Sequence, residues 1–214
     1  MYSRLKRAII VVMAVVLATM VAYAFVLTCG LRIVVQPDIA EVSPNLVGIE
    51  CDSNIVSDYQ AKLEIVPKPI LQSFVANAWT LCVDPSFLSQ KSEETSIFWG
   101  GATVYADRKI YVCTPESVVH EFGHYLDYAL GFPRRHITLF ELEAESAKDV
   151  LGVYATTNCR EYFAEFFEYW LYNRQNPTAM ERLKKVSPET YQYFLSLEID
   201  NWGLNVERIV LMVG

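Results

Sequence analysis

Val118-Val119-His120-Glu121-Phe122-Gly123-His124-Tyr125-Leu126-Asp127 is the stretch on which the reading of this 214-residue chain turns. At 3.6 residues per turn, His120 and His124 fall about 40° apart on one helix face, one turn displaced, so two imidazoles can converge on a single ion. Glu121 follows the first of them. A carboxylate there can take the proton of a water that attacks a polarised carbonyl, which is the chemistry of metal-assisted hydrolysis. The chain holds three histidines in all, and two of them stand four apart around a glutamate. That economy favours a metal helix over one that merely carries imidazoles, and one Zn2+ per chain is the expected cofactor.

The flanks fit a helix. Thr114 can cap it, Pro115 suits its first position, Glu116 complements the helix dipole, and Gly131 followed by Pro133 ends it. Gly123 inside the helix costs about 1 kcal/mol relative to Ala. It is either a weak point or a place where a neighbouring strand or the metal shell comes close.

Working outward to the N-terminus, Arg4, Lys6 and Arg7 precede Ala8 to Leu31, a run of 24 residues without a charge. That length spans a bilayer, and the basic flank orients it N-inside, C-outside. A cleaved signal peptide is the rival reading, since Ala22-Tyr23-Ala24 resembles a cleavage site. Lipidation at Val26-Leu27-Thr28-Cys29 ranks last. All three put residues 32–214 outside the cytoplasm. The expected organisation is an anchor or signal segment over 1–31, a stalk over 32–56 centred on the Pro-containing run Gln36 to Ser53, and one domain over 57–214. The net charge is −7; without residues 1–7, 15 basic side chains face 25 acidic ones, a net charge of −10. Nucleic acid is therefore excluded as a partner.

Between stalk and metal helix, Ser57 to Ala76 reads as helical on either side of Val66-Pro67-Lys68-Pro69, and Trp79 to Val83 as a strand closed by Asp84-Pro85. Phe87 to Thr95 is polar and reads as a loop. Ala102 to Tyr105 and Lys109 to Cys113 form a hairpin about Ala106-Asp107-Arg108. Gly100-Gly101 ahead of it either makes a turn or keeps a strand edge bare for an extended peptide. Trp99 beside them packs on substrate or in the core. Of the five cysteines, Cys82 and Cys113 end runs expected in one sheet, which makes them the favoured disulfide pair; buried reduced thiols are the alternative.

Beyond the metal helix, Ile137 to Gly152 reads as a second helix, with Glu141, Glu143 and Glu145 on a solvated face and His136 exposed in the loop before it. Asn158 to Trp170 reads as a buried helix, apolar or aromatic around most of its circumference. Glu161, Glu165 and Glu168 nevertheless form one stripe at i, i+4, i+7. Spacing alone leaves Glu161 and Glu165 as candidates for a third ligand, with Glu168 facing solvent. Helices over Pro177 to Val186 and Pro188 to Glu198 should pack behind.

Three blocks together resemble the zinc metallopeptidases related to the catalytic domain of anthrax lethal factor, including the secreted Pro-Pro endopeptidases. They are His120-Glu121-Phe122-Gly123-His124-Tyr125-Leu126-Asp127, Tyr154 followed seven residues later by Glu161 in Glu-Tyr-Phe-Ala-Glu, and Gly100-Gly101-Ala102-Thr103-Val104. The resemblance implies that His120, His124 and Glu161 ligate zinc, that Glu121 is the general base, and that Tyr154 donates to the oxyanion. It further implies that Glu165 and Asp127 orient the histidines and that Gly100, Gly101, Ala102 and Thr103 bind a protein or peptide substrate. Arg160 departs from the pattern, because Pro-Pro enzymes of this family tend to carry an acidic residue there.

The expected fold is therefore α+β, zincin-like of the gluzincin type: a small mixed sheet with an edge strand beside the metal helix. The expected function is that of an extracytoplasmic zinc metalloendopeptidase, with Pro-rich sites among its targets. The alternatives are a non-catalytic, membrane-tethered zinc-binding protein and a lethal-factor-like effector protease.

Overall fold

The structure, a computed structural model, describes Val47, residues 49–50, residues 56–96 and residues 98–204. The apolar run Ala8 to Leu31 and the segment after Leu204 lie outside the described residues. Among the described residues no helix is long and apolar enough to cross a membrane.

The strands β1 (Ile49–Glu50), β2 (Thr80–Val83), β3 (Gly101–Val104) and β4 (Lys109–Val112) form one mixed sheet in the order β1-β2-β4-β3. β1, β2 and β4 run parallel, and β3 closes the expected hairpin antiparallel to β4 and forms an edge of the sheet. Alternation drives the placement of β4: Ile110 and Val112 are fully buried while Lys109 and Tyr111 point away. β1 falls inside the run expected to be a stalk. Two of that run's residues thus belong to the sheet, through Ile49 opposite Leu81 and Glu50 opposite Cys82.

Helices α1 (Val56–Leu63) and α2 (Lys68–Ala76) lead into β2, and α3 (Pro85–Thr95) follows it. α3 corrects the loop expected over Phe87 to Thr95. Asp84 accepts from the Phe87 N–H at 2.9 Å and Pro85 takes the first helical position. The helix is polar because Leu88 alone of its side chains is buried.

The metal helix is α4 (Ser117–Ala129), followed by α5 (Arg134–Leu151), a 3-10 turn (Val153–Thr156), α6 (Cys159–Asn173), α7 (Pro177–Val186) and α8 (Pro188–Ile199). α4 starts later than expected and has no side-chain cap. Instead the Ser117 and Val118 N–H groups reach three residues back, to the Thr114 and Pro115 carbonyls. Its end is as expected at Gly131, whose φ is 80°. Gly131 N–H bonds to Tyr128 O and Phe132 N–H to Asp127 O, the paired arrangement that satisfies the last carbonyls of a helix.

Gly123 is explained by a helix and not by a strand. A Cβ there would stand 2.8 Å from the Cα of Ala164 on α6, so the two backbones meet where the side chain is missing. Around this crossing Phe74, Phe122, Tyr125 and Trp79 pack on one side, and Phe166, Trp170 and Phe194 on the other.

Three expectations are corrected here. Cys82 and Cys113 are free thiols: register sets Cys82 opposite Tyr111, its Sγ contacts Glu50, and Cys113 Sγ reaches the Gly100 carbonyl. His136 lies within the first turn of α5, 3% exposed, stacked on Phe163 and bonded to Asp127 at 2.6 Å and to the Tyr193 hydroxyl at 2.9 Å. Glu143 is buried as well. Its carboxylate accepts from Glu189 N, Thr190 N and Thr190 Oγ1, capping the otherwise uncapped start of α8.

Candidate active site

α4 and α6 present their polar residues to one point. Asn158 caps α6 by accepting from the N–H groups of Arg160 and Glu161, which puts Glu161 in the first turn, where the helix dipole favours a carboxylate. One oxygen of Glu161 lies 3.2 Å from His120 Nε2 and 3.2 Å from His124 Nε2. The candidate ligand atoms of these three residues all lie within 4.8 Å of one another. Two imidazole nitrogens and one carboxylate oxygen make the donor set of a catalytic zinc site with an open position, so the residues fit the metal.

Of the two third-ligand candidates, Glu161 is the one brought to both histidines. Glu165 stands behind His120, at 3.3 Å from Nδ1, where a carboxylate orients the ring. Glu168 was expected to face solvent, but its carboxylate lies 3.7 Å from the same nitrogen, so the whole glutamate stripe serves the site. Asp127 does not. It is 2% exposed and bonded to His136, while His124 Nδ1 is buried with no hydrogen-bond partner among the described residues.

Charge follows this geometry. Burial disfavours the charged form of His120, but the hydrogen bond with Glu161 and the neighbouring Glu165 and Glu168 carboxylates outweigh it and lift its pKa well above the ordinary histidine value. Burial likewise pushes the Glu161 carboxyl up, yet its bonds with His120 and His124 hold it well below the usual carboxylate range.

Glu121 is 4% exposed and points at the edge strand. Thr103 Oγ1 donates to its Oε2 at 2.6 Å, and a Cβ on Gly101 would stand 2.5 Å from its Oε1. Gly101 is therefore required by the carboxylate, which neither expectation for the Gly-Gly pair foresaw. Gly100 serves the sheet, its carbonyl accepting from Cys113 N at 3.1 Å.

Gly101, Ala102, Thr103, Glu121, His124, Tyr154 and Glu161 line one cleft of about 460 Å³, together with Trp99, Tyr105, Asn158, Cys159 and Arg160. Tyr154 sits half-exposed on the 3-10 turn with its ring 6.0 Å from that of His120. Burial, reinforced by the charge of Glu161, pushes its phenol up to about 12, so it keeps its proton at neutral pH. Trp99 lines the cleft and its indole N–H donates to Thr95 Oγ1 at 2.8 Å.

Residues 107–197 match the family described as anthrax toxin lethal factor, N- and C-terminal domain, which bears out the resemblance read from the sequence. Among solved structures, a Pro-Pro endopeptidase from Paenibacillus alvei is 20% identical, with a TM-score of 0.53, over 73% of this chain and 99% of that one. At that identity the likeness is one of fold. No curated protein matches.

Proposed function

We propose that this chain is a zinc-dependent metalloendopeptidase that hydrolyses peptide bonds in protein substrates outside the cytoplasm. The observation that carries the reading is the convergence of His120 and His124 on one oxygen of Glu161 beside a buried Glu121. Zinc held by His120, His124 and Glu161 would supply a Lewis acid that polarises the scissile carbonyl and acidifies water to react near neutral pH.

The remaining work falls to the chain. The free side of β3 offers backbone groups to an extended peptide and lays it along the cleft. Glu121, held by Thr103, accepts the proton of the attacking water and returns it to the leaving amine. Tyr154, protonated at working pH, donates to the oxyanion, a contribution of about 2.7–4 kcal/mol where such donors are removed from other enzymes. Glu165 and Glu168 fix the His120 ring.

Extracytoplasmic action rests on the apolar run Ala8 to Leu31, and a taste for Pro-rich segments rests on the fold neighbour. The test is cleavage-site mapping by mass spectrometry on a diverse peptide library, with Glu121→Ala as control and zinc content measured on both proteins. We expect one zinc per chain in each, and cuts from the wild type alone. Protein purified without chelator that holds no zinc would falsify the reading.

A further inference from the structure

We infer that Arg160 forms a subsite for an acidic side chain of the substrate peptide, within about three residues of the scissile bond. The inference rests on the peptidase reading and deepens it.

Arg160 lines the cleft and precedes the ligand Glu161, and consecutive Cα atoms lie only ~3.8 Å apart. Its guanidinium carbon sits 4.5 Å from the ring centre of Phe132 and 5.6 Å from that of Tyr105. The two rings are themselves packed edge to face at 5.3 Å. The platform is built into the backbone, because Phe132 follows the Gly131 turn at a φ of 50°, a region a bulky residue rarely visits.

Ring contacts hold the face of a guanidinium and leave its edge free. Among the described residues no carboxylate pairs with Arg160. The nearby acids are engaged elsewhere: Glu161 with both histidines and Glu121 with Thr103. A fixed cation with unspent donors, in a cleft that admits an extended peptide, matches a carboxylate presented by that peptide. Tyr105 immediately follows β3, so the subsite lies toward that end of the edge strand.

The test uses the full chain loaded with zinc and the same peptide library. The proteins are wild type, Arg160→Gln, Arg160→Lys and Arg160→Glu, each checked for its thermal midpoint. We expect Asp and Glu to be enriched at one fixed position near the cut. Arg160→Gln should lower kcat/KM for those peptides about 10- to 100-fold more than for neutral ones. Arg160→Lys should keep a weaker acidic preference, and Arg160→Glu should favour Lys or Arg at that position. Cuts whose position preferences are the same in all four proteins overturn the subsite and leave the peptidase standing. A lower thermal midpoint in Arg160→Gln with unchanged preferences overturns it too, reducing Arg160 to a lid on the rings. No cuts by the wild type overturn the peptidase reading itself.

Discussion

Glu121 is gripped by a strand, and that grip is where single atoms matter most. Gly101→Ala drives a methyl group against the Glu121 side chain, which must turn away from its bond with Thr103. We expect kcat/KM to fall at least about tenfold, with zinc content unchanged. Thr103→Val removes the hydroxyl that holds the carboxylate, and a charge-assisted bond of this kind sets an expected loss of roughly tenfold or more. Thr103→Ser should restore most of it; equal losses in both would show that the hydroxyl is idle. His120 supplies a pH prediction. Its pKa in the metal-free protein is raised by Glu161, Glu165 and Glu168, and the imidazole must lose its proton to bind metal. Zinc affinity should therefore rise with pH through neutrality, with proton release visible by calorimetry in two buffers. Much of this site was legible because the spacing of His120, Glu121 and His124 fixes their geometry within one helix. Asp127 and His136 were misread because their bond joins two helices, and no periodicity within either helix reports it. Glu168 lay on the stripe already seen in the sequence, and only the depth of the α4–α6 packing turned it toward His120.

At the scale of elements, the crossing of α4 and α6 is set by the absence of a side chain. Gly123→Ala adds helix propensity of about 1 kcal/mol, but its methyl group meets the backbone of Ala164, which cannot rotate aside. We expect a net loss of about 1–2 kcal/mol in urea unfolding, together with weaker zinc retention as the ligands are pushed apart. A gain in stability would show that the helices slide past each other at no cost. The hairpin, the metal helix and the two Pro-initiated helices α7 and α8 were readable from turn residues and start signals. α3 was not, although Asp84-Pro85 carries the same kind of start signal as Asn176-Pro177. With little of it buried, no apolar stripe marked α3 as a helix. Glu143 misled for the converse reason: its helix has a solvated face, but its own carboxylate is used up on the first turn of α8.

On the scale of the whole molecule, the three ligand atoms come from two helices joined by α5 and the 3-10 turn. Zinc held by these atoms would therefore bind the folded chain far better than the unfolded one. At a free zinc concentration about 100-fold above the Kd, the linkage is worth about 2.7 kcal/mol. For a domain of this size that predicts a rise of roughly 5–10 °C in thermal midpoint over chelator-treated protein. No shift would mean that the metal is not held by both helices.

The missing side chain at Gly123 has one more consequence, which concerns timing. His120, Glu121 and His124 can be adjacent as soon as a single helix has wound, yet Glu161 joins them only after two backbones have come into contact across the core. A newly made chain therefore carries an incomplete candidate metal site until its interior has closed. On the peptidase reading, the capacity to cut would arrive last, after α4 and α6 have wound and packed against each other.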